Sequence, residues 1–459
     1  MKLQELRSLH SYKLKNPKIS VKGITDDSRK VTPGIIFVAI AGLTHDGHDF
    51  INEVVKKGAI LVVGERSKEE IHLNKDTDYI QVSDSREMLG KLASDWYGNP
   101  SKNLTLIGVT GTKGKTTTTH IIYHILKSSG EKVGLVSTLG AYIGDRKIDT
   151  GAHVTNPDVL TLNKLLSDMV KANCKYAVLE VSSHGIHQKR ISGIKFDLAV
   201  LTNIAPEHLD YHNNFEEYKK VKMLFINSAK ERVISGKSAR LNLLPGEFNN
   251  INAETALEVC EKLGIGKKIA LKALKSFKLP EGRLEEMKTG KAFRVFVDFA
   301  HTPQSLEAVL KYLRTLTANR LICIFGCASE RDEKKRPLMG RISTDLAEVS
   351  IFTAEDPRHE DINKIISEIS AGADMSKAEF AADNADNLPQ KTKNIFYKIP
   401  ERGEAITFAI NNIAQNGDMI VICGKGHEKS MNYNGVEYPW SDKKAVDYAL
   451  KGNTLAIKR

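Results

Sequence analysis

A glycine-rich turn that runs into lysine and threonine is the part of this 459-residue sequence with the clearest chemistry. It lies between an apolar run typical of a strand, 104–109, and a helical run, 117–128, and its residues are Gly111, Thr112, Lys113, Gly114, Lys115, Thr116 and Thr117. Backbone N–H groups of such a turn can point at one anion, Lys115 can reach terminal phosphates, and the Thr116 hydroxyl can bind Mg²⁺. The pattern predicts an ATP-binding phosphate loop, although the strict motif would place glycine at Val109. A turn that only caps a helix is the alternative.

Polar residues also follow two other apolar runs. The run 176–181 contains Glu180, and the run 198–201 is followed by Asn203 and then by His208 and Asp210. Strands that alternate with helices predict a parallel sheet, whose ligands bind at the carboxyl ends of the strands. We therefore expect Glu180 to bind Mg²⁺ opposite Thr116, and His208 with Asp210 to supply a second metal position. A lone histidine would more often be structural, but here several polar residues gather beyond one strand.

The elements that must position these residues indicate an α/β protein of three domains. Runs typical of strands at 35–40, 59–63 and 79–82 alternate with helical runs at 50–57 and 85–97, which predicts a small N-terminal α/β domain over 1–98. Residues 99–280 are predicted to be a central P-loop parallel-sheet ATPase domain. Residues 281–459, with strands at 293–299, 320–325 and 419–423, are predicted to be a C-terminal Rossmann-like domain. Residues 371–388 have a helical composition.

Composition narrows the class of protein. The formal net charge is +11, but lysines and arginines are interleaved with acidic residues, so a nucleic-acid surface is the weaker interpretation beside an anionic substrate or a merely basic surface. No apolar run is long enough to span a membrane, and the amino terminus lacks an export signal. The five cysteines are dispersed without zinc spacing, which is typical of buried thiols in a reducing compartment. We expect a cytoplasmic protein without membrane insertion.

Several motifs together, in order, resemble those of the Mur ligase family, the ATP-dependent amino-acid ligases of peptidoglycan precursor synthesis. They are TDDSR at 25–29, GTKGKT at 111–116, EVSSHG at 180–185, TN at 202–203, HLDYH at 208–212, LPGEFN at 244–249, DFAHTP at 298–303, RD at 331–332, KRP at 335–337, DPR at 356–358 and GKGHE at 424–428. Any one of these motifs could arise by chance, but the ordered set is very specific. The chain is most similar to members that add the third peptide residue.

The resemblance implies three domains that bind UDP-sugar, ATP and amino acid in turn. It implies that ATP phosphorylates the carboxylate of a UDP-MurNAc-dipeptide and that an incoming amine attacks the acyl phosphate, with Mg²⁺ as cofactor and the protein acting as a monomer. Lys222 resembles the family lysine that is carbamylated to N6-carboxylysine and holds the second Mg²⁺ with His208. From sequence alone, Lys222 would be a residue of a surface helix. The catalytic set implied is Lys115, Glu180, His208 and Lys222, and the metal-binding set adds Thr116.

The resemblance also implies ligand contacts residue by residue. Contacts to the UDP-sugar fall on Ser28, Thr155, Asn156, Ser182, Gln188 and Arg190. Nucleotide contacts beyond the phosphate loop fall on Asn203, Asn252, Arg283 and Asp298. Contacts to the amino acid fall on Arg331, Glu355, Asp356, Pro357, Arg358, Gly424 and Glu428. The chain departs from the family at Lys113, where asparagine is more frequent, at Asn156, where threonine is frequent, and over 225–244, which is shorter than usual.

The tetrad 355–358 bears on the amino acid that is added. Enzymes of the family that take meso-diaminopimelate carry Asp-Asn-Pro-Arg, whose arginine can bind the distal carboxylate in bidentate fashion. Here Arg358 is kept and asparagine becomes Asp356, while Glu428 suits the distal ammonium. We predict meso-diaminopimelate, with L-lysine as the alternative. Other interpretations are that Arg358 only caps a helix or pairs with Glu360, that the chain is a glutamate-adding folate ligase, or that it is a nucleotide-binding regulatory protein on a decayed ligase fold.

Overall fold

The computed structural model describes residues 1–42, 45–71, 73, 77–144, 146–151, 155–209, 211–317, 319–330, 332–381 and 394–458. The chain forms two compact units. The first comprises Met1–Ile204, Glu216–Ile234 and Glu258–Ala273, and the second comprises Ala205–Phe215, Ser235–Leu257 and Leu274–Arg459. Each unit is built around parallel β-sheet, in agreement with the predicted α/β class.

The first unit begins with a four-stranded parallel sheet in the order β1-β2-β3-β4. Its elements are β1 Gly23–Thr25, β2 Ile35–Val38, α1 Ile51–Lys56, β3 Leu61–Gly64, β4 Asp78–Gln81 and α2 Ser85–Trp96. The Asp84 side chain accepts a hydrogen bond from the backbone N–H of Glu87 at 2.8 Å, which satisfies one of the open donors of the first turn of α2. The helices and strands predicted in this region are confirmed to within two residues at most ends.

A second sheet of seven strands completes the first unit, in the order β11-β10-β5-β9-β6-β7-β8. Its elements are β5 Thr105–Thr110, α3 Lys115–Ser128, β6 Val133–Ser137, β7 Gly140–Ile143, β8 Arg146–Ile148, α4 Val159–Lys171, β9 Tyr176–Glu180, α5 Ser183–His187, β10 Leu198–Leu201, α6 Phe215–Ser228 and β11 Glu231–Ile234. Strands β11, β10, β5, β9 and β6 pair in parallel, whereas β7 pairs antiparallel with both β6 and β8. The short stretch 225–244 therefore still supplies an edge strand, β11, to this sheet.

The order of this sheet decides which residues meet. Strand β5 lies between β10 and β9, and all three run parallel. The residues that follow them in the chain therefore gather at one edge of the sheet. Strands β5 and β9 are buried along nearly their whole length, which matches the continuous apolar runs expected for a parallel sheet covered on both faces.

The second unit contains another seven-stranded sheet, in the order β12-β13-β18-β14-β15-β17-β16, and a two-stranded hairpin, β19-β20. The chain reaches it through α7 Glu247–Lys262 and α8 Lys267–Ser276 and continues with β12 Glu285–Met287, β13 Arg294–Asp298, α9 Pro303–Arg314, β14 Leu321–Phe325, α10 Lys335–Leu346, β15 Val349–Phe352, α11 Ile362–Ser370, β16 Ala378–Phe380, β17 Asn394–Lys398, α12 Arg402–Phe408, β18 Met419–Cys423, β19 Ser430–Tyr433, β20 Val436–Pro439 and α13 Asp442–Ala449. All pairs of the large sheet are parallel except β12 with β13.

One prediction about secondary structure is wrong. Residues 371–388 have a helical composition, yet Ala378–Phe380 form the edge strand β16, which pairs with β17. Backbone pairing with the next strand in the chain outweighs the helix propensity of the alanines here. Residues 382–388 lie outside the described residues. The five cysteines are buried free thiols, as predicted. Within the described ranges, no helix is long and apolar enough to cross a membrane.

Candidate active site

The glycine-rich turn joins β5 to α3 with the geometry of a phosphate loop. Gly114 adopts φ +80° immediately before the first turn of α3, a conformation that favours glycine. A side chain at Gly111 would collide with the hydroxyl of Thr202, which follows β10. Both glycines are therefore required. Gly111 permits the close approach of the loop to the chain after β10, and Gly114 permits the turn into α3. The N-terminus of α3 and the backbone N–H groups of the turn form a cradle suited to an anion.

Asn203 fixes the turn from the neighbouring strand. Its carbonyl accepts a hydrogen bond from the backbone N–H of Thr112 at 2.9 Å. Its side-chain oxygen accepts one from the backbone N–H of Lys113 at 2.9 Å, and its amide nitrogen donates to the Lys113 carbonyl at 3.0 Å. Because these bonds use the backbone of Lys113, its departure from the usual asparagine does not disturb them. Asn203 therefore positions the loop.

The Lys115 ammonium lies against the loop itself. It donates to the carbonyls of Gly111 at 3.0 Å and Thr112 at 2.9 Å. Anionic phosphate oxygens are stronger acceptors for an ammonium than neutral carbonyls are. The lysine is thus held within the cradle where terminal phosphates would lie.

Thr116 and Glu180 meet as predicted, across the edge of the sheet. The Thr116 hydroxyl donates to Glu180 Oε1 at 3.0 Å, and both side chains are buried. Glu180 Oε2 accepts from the backbone N–H and from the hydroxyl of Thr138, both at 3.0 Å. The pair presents a hydroxyl oxygen and a carboxylate beside a phosphate loop, which are the ligand types that Mg²⁺ takes in such sites.

Lys222 is buried, so its interpretation as a surface-helix residue is wrong. Only 1% of Lys222 is exposed, and its Nζ donates to the Gly111 carbonyl at 2.9 Å. Its ammonium also lies 4.7 Å from the centre of the Tyr218 ring, and the Tyr218 hydroxyl is 2.9 Å from the Thr112 hydroxyl. Helix α6 therefore brings a buried lysine to the back of the phosphate loop. Burial of an ammonium there is costly, which is unusual for a lysine without a specific role.

His208 belongs to the second unit. It adopts φ +56°, and its carbonyl accepts from the backbone N–H groups of Tyr211 at 3.1 Å and His212 at 3.0 Å. Asp210 lies outside the described residues. The described part of the chain holds no group of three or more histidine, cysteine, aspartate or glutamate side chains arranged to bind a metal. The second metal position remains a prediction.

Four of the residues predicted to contact the UDP-sugar are linked in one network. Asn156, which is 1% exposed, donates to the Glu180 carbonyl at 2.8 Å, and its side-chain oxygen accepts from the backbone N–H and the hydroxyl of Ser182, both at 2.9 Å. Its carbonyl accepts from Arg190 Nη1 at 2.8 Å. The Thr155 hydroxyl lies 3.3 Å from that of Thr138. The asparagine that departs from the family pattern thus ties the sugar candidates to the strand that carries Glu180.

Two other sugar candidates occupy turns. Gln188 ends α5, where its backbone N–H donates to the His184 carbonyl at 2.8 Å. Ser28 begins a short 3₁₀ helix that Asp27 caps, and its carbonyl accepts from Lys57 Nζ at 3.0 Å. The described contacts do not join Ser28 directly to the network around Asn156. Their roles remain predictions.

In the second unit, Asp298 is the buried end of β13. It accepts hydrogen bonds from the backbone N–H groups of Leu284 at 2.7 Å and Ala300 at 2.8 Å. Burial raises the pKa of Asp298, and the nearby Arg283 opposes that rise. The Arg283 guanidinium lies 4.5 Å from the centre of the Phe299 ring, and Asn252 is buried on α7. A flat cation over an aromatic ring is a surface on which a planar base can stack.

The residues predicted to bind the amino acid form a buried cluster of charges. Lys425, which is fully buried, lies 2.9 Å from Asp356 Oδ1 and 2.6 Å from Glu428 Oε2. Asp356 Oδ1 also accepts from the backbone N–H of Asn432 at 2.9 Å. Glu428, which was expected to bind the distal ammonium of the substrate, and Asp356 therefore share an ammonium of the protein. Sequence reasoning gave Lys425 no role although it lies in the motif 424–428, because its second partner, Asp356, is 69 residues away in the chain.

Glu355 lies beside this cluster. Burial raises the pKa of its carboxyl to about 7, with Lys335 opposing the rise and Asp356 adding to it. Its Oε2 atom is buried and has no hydrogen-bond partner among the described residues. A side chain on Gly424, at φ +108°, would approach that oxygen to 3.1 Å. The absence of a side chain at Gly424 therefore relieves crowding next to this oxygen.

The backbone of Arg358 is pinned to the hairpin. It adopts φ +45°, donates to the Asn432 carbonyl at 3.0 Å and accepts from the Asn434 N–H at 2.7 Å. Its side chain lies 3.4 Å from Glu330 Oε2. Glu360 instead pairs with Arg336 at 2.7 Å, so the alternative pairing of Arg358 with Glu360 is wrong. The carbonyl of Pro357 accepts from the Glu360 N–H at 2.9 Å, which closes the turn after the tetrad. Arg331 lies outside the described residues.

Sequence reasoning also missed Thr138 and Tyr218. Thr138 follows β6, the strand next to β9, so the rule that polar residues gather beyond parallel strands would have found it. Tyr218 lies on α6 and is 106 residues from its partner Thr112, and it carries no local signal.

Comparisons with known proteins agree across the chain. Residues 109–242 match the Mur ligase middle domain, residues 282–426 match the family described as Mur ligase, glutamate ligase domain, and residues 20–97 match the family described as Mur ligase family, catalytic domain. A UDP-N-acetylmuramoyl-L-alanyl-D-glutamate--2,6-diaminopimelate ligase from Clostridium tetani is 36% identical over 480 aligned residues, which cover 93% of this chain and 95% of that protein.

Two solved structures extend the similarity to the fold. One, described as a UDP-N-acetylmuramoyl-L-alanyl-D-glutamate--2,6-diaminopimelate ligase, has a TM-score of 0.65 and 26% identity and covers 98% of this chain and 99% of that chain. The other, MurF ligase from Thermotoga maritima in complex with ADP, has a TM-score of 0.58 and 18% identity and covers 95% and 97%. The second likeness concerns the fold alone.

Proposed function

This chain belongs to the Mur ligase family, and we propose that it is an ATP-dependent ligase that joins meso-diaminopimelate to UDP-MurNAc-L-Ala-D-Glu. The observation that carries the proposal is the pair of Thr116 and Glu180, 3.0 Å apart at a phosphate loop, in a chain similar over nearly its whole length to a ligase of that name. We assign the UDP-sugar to residues 1–98, ATP to residues 99–280 and the amino acid to residues 281–459. Because ATP is consumed, we place the reaction in the cytoplasm.

The phosphate loop supports a reaction that begins with phosphate transfer from ATP, as the family resemblance implies. Its backbone N–H groups and Lys115 bind the phosphates of ATP, and the substrate carboxylate attacks the terminal phosphorus to give an acyl phosphate and ADP. The amine of the amino acid, once deprotonated, then attacks the acyl carbon, and the amide forms as phosphate leaves. Thr116 and Glu180 are the residues that would hold Mg²⁺, which neutralises charge on phosphate oxygens when bound. Asn203 holds the loop in place through its hydrogen bonds to the backbone of Thr112 and Lys113.

We assign carbamylation to Lys222. Its burial supports the assignment, because a buried ammonium is costly and a carbamate would turn the side chain into an anionic oxygen ligand for a cation. Replacing Lys222 by alanine should abolish phosphate release, and formate or acetate should restore part of it by filling the vacated site. Lys219→Ala, an exposed lysine on the same helix, is the control. Normal turnover by Lys222→Ala would refute the assignment.

The amino-acid specificity rests on Arg358 and the neighbouring cluster. Among the described residues, the guanidinium of Arg358 pairs with Glu330 alone, at 3.4 Å, and Glu330 is exposed, so Arg358 can exchange this partner for a substrate carboxylate at small cost. L-Lysine lacks the distal carboxylate, and a site with Arg358 therefore favours diaminopimelate.

An omission assay tests the proposed function. Phosphate should be released only when ATP, Mg²⁺, UDP-MurNAc-L-Ala-D-Glu and the amino acid are all present. Release that does not depend on the UDP-sugar would indicate a different enzyme. Tight ATP binding without turnover for any amino acid would indicate a nucleotide-binding regulatory protein on a ligase fold.

A further inference from the structure

Lys425 is the charged group at the centre of the amino-acid cluster. It follows β18 and Gly424, its side chain is fully buried, and its ammonium bridges Asp356 Oδ1 at 2.9 Å and Glu428 Oε2 at 2.6 Å. A buried ion pair requires hydrogen bonds on both sides to offset the loss of hydration. Here Asn432 donates a second hydrogen bond to Asp356 Oδ1, at 2.9 Å. Burial lowers the pKa of Lys425, but Glu428 and Asp356 together raise it above the ordinary value, so the lysine stays charged.

The cluster also points to a ligand. Glu355, 6% exposed, has a buried Oε2 without a hydrogen-bond partner among the described residues, and that oxygen faces Gly424. A buried carboxyl oxygen without a donor is costly unless a donor arrives with a ligand. The electrostatic surroundings of Glu355 are Lys335, Asp356, Lys425 and Glu428. Glu355 Oε2 and the charged groups of Lys425, Asp356 and Glu428 therefore belong to one site. A ligand that brings a hydrogen-bond donor would satisfy the unpaired oxygen of this site.

The charges of this cluster decide which side chain it accepts. Asp356 and Glu428 carry two negative charges and Lys425 carries one positive charge, so the lysine halves the net negative charge of the three groups. Without Lys425, two carboxylates would favour a side chain that ends in a bare ammonium and would repel one that also carries a carboxylate. When Lys425 is present, the site can bind a side chain that carries both an ammonium and a carboxylate.

We propose that Lys425 is a specificity-determining and positioning residue: its buried ammonium saturates Asp356 and Glu428, and thereby lets the site take a zwitterionic amino-acid side chain in place of a purely cationic one. The inference rests on the proposed ligase function and deepens it. It also accounts for the tetrad of this chain, because an aspartate at position 356 is compatible with a substrate carboxylate only when a fixed cation balances it.

The test compares the kcat/KM ratio of meso-diaminopimelate to L-lysine in variants of opposite sign. Lys425→Met should lower the ratio by about tenfold, and Asp356→Asn, which leaves Lys425 with Glu428, should raise it by a similar factor, since one charge has been removed in each case. The double variant should return to within about threefold of the wild type. Lys443→Met, which removes a lysine paired with Glu281 and Glu285 in the same unit, is the matched control and should leave the ratio unchanged.

Thermal melting of each variant separates specificity from stability. If Lys425→Met does not fold, Lys425→Gln, which also removes the charge but keeps a hydrogen-bond donor, replaces it in the comparison and should lower the ratio by the same factor. Equal losses for both amino acids in Lys425→Met, or an unchanged ratio in Asp356→Asn, would overturn the inference. A wild type that ligates neither amino acid would instead overturn the proposed function.

Discussion

The two candidate regions hold their carboxylates in opposite ways. Glu180, at the phosphate loop of the first unit, accepts its hydrogen bonds from neutral donors, the hydroxyls of Thr116 and Thr138 and one backbone N–H. In the second unit, Asp356 and Glu428 share the buried ammonium of Lys425. A carboxylate with neutral partners keeps its charge available for a cation that binds from solution. Carboxylates that are paired with a lysine of the protein instead give the site a small net charge.

The difference suggests distinct tasks. The phosphate-loop region must bind a highly anionic nucleotide and its metal ion, and it relies on backbone geometry with one uncompensated carboxylate. The cluster around Lys425 must distinguish small zwitterions, and it relies on fixed charges whose sum matters more than any one of them. Substitutions should therefore act mainly on turnover in the first region and mainly on selectivity or pH dependence in the second.

Lys115→Ala should have the largest effect, because it removes the cation that the phosphate loop supplies to ATP. We expect kcat/KM to fall about a thousandfold, the loss typical when a donor to a developing phosphate charge is removed. Calorimetric titration with ATP and a phosphate-release assay measure the change. Lys127→Ala, at the exposed far end of α3, should behave like the wild type. ATP binding by Lys115→Ala at wild-type affinity would contradict the assignment of the loop.

Glu180→Gln should come next. The neutral amide keeps a similar shape but lacks the charge, so we expect about a hundredfold loss of kcat with a nearly unchanged melting temperature. Raising the Mg²⁺ concentration should recover part of the activity. Glu131→Gln, whose carboxylate pairs with Lys175 at 2.7 Å on the surface of the same unit, is the control. A Glu180→Gln enzyme with wild-type kcat and Mg²⁺ dependence would show that Glu180 does not serve the metal.

Glu355 should give the second unit a pH-dependent stability. Burial raises its folded-state pKa to about 7 from the ordinary value of 4.5, so between these pH values the folded chain binds more protons than the unfolded chain. The free energy of unfolding should therefore fall as pH rises from 4.5 to 7, by at most about 3 kcal/mol from this group. Denaturant titrations at pH 5 and pH 7.5 measure the slope.

Glu355→Gln should lose this contribution, whereas Glu286→Gln, an exposed carboxylate paired with Arg294, should keep it. Asp298, whose pKa is also raised by burial, contributes equally to all three proteins and cancels in the comparison. Identical pH slopes in the wild type and Glu355→Gln would mean that Glu355 is not held protonated by its surroundings.

Arg358→Ala should have the smallest effect, confined to one substrate. We expect KM for meso-diaminopimelate to rise about tenfold, the value of one bidentate contact, with little change for L-lysine. The melting temperature should stay the same, because the ion pair of the Arg358 side chain with Glu330 is exposed and therefore weak. Arg341→Ala, which removes a surface arginine paired with Asp345 on α10, should change neither KM. Retention of the preference for diaminopimelate in Arg358→Ala would refute its role.

The first region could be predicted from sequence and the second only in part, for a physical reason. The strand, loop and helix around Lys115 are contiguous, and Glu180, although 64 residues from Thr116, ends the strand next to β5, so the general rule for parallel sheets placed it correctly. Asp356 and Lys425 are 69 residues apart and follow β15 and β18, which are not neighbours in the sheet. Their pairing depends on strand order, which local patterns do not determine.

The burial of Lys222 escaped prediction for a similar reason. The sequence of helix α6 is rich in polar residues and predicts an exposed helix. The lysine is an interior residue because Tyr218 and Lys222 pack behind the phosphate loop. Side chains whose partners lie more than a hundred residues away carry no local pattern, even when the elements that bear them are identified correctly.

A competition assay measures directly which amino acid the chain adds to the UDP-MurNAc-dipeptide. The purified chain is incubated with ATP, Mg²⁺, UDP-MurNAc-L-Ala-D-Glu and equal concentrations of meso-diaminopimelate and L-lysine, and the products are identified by mass spectrometry. We expect a UDP-MurNAc-tripeptide that carries diaminopimelate in large excess, formed together with stoichiometric ADP and phosphate. Predominant lysine product, or ATP hydrolysis without a tripeptide, would contradict it.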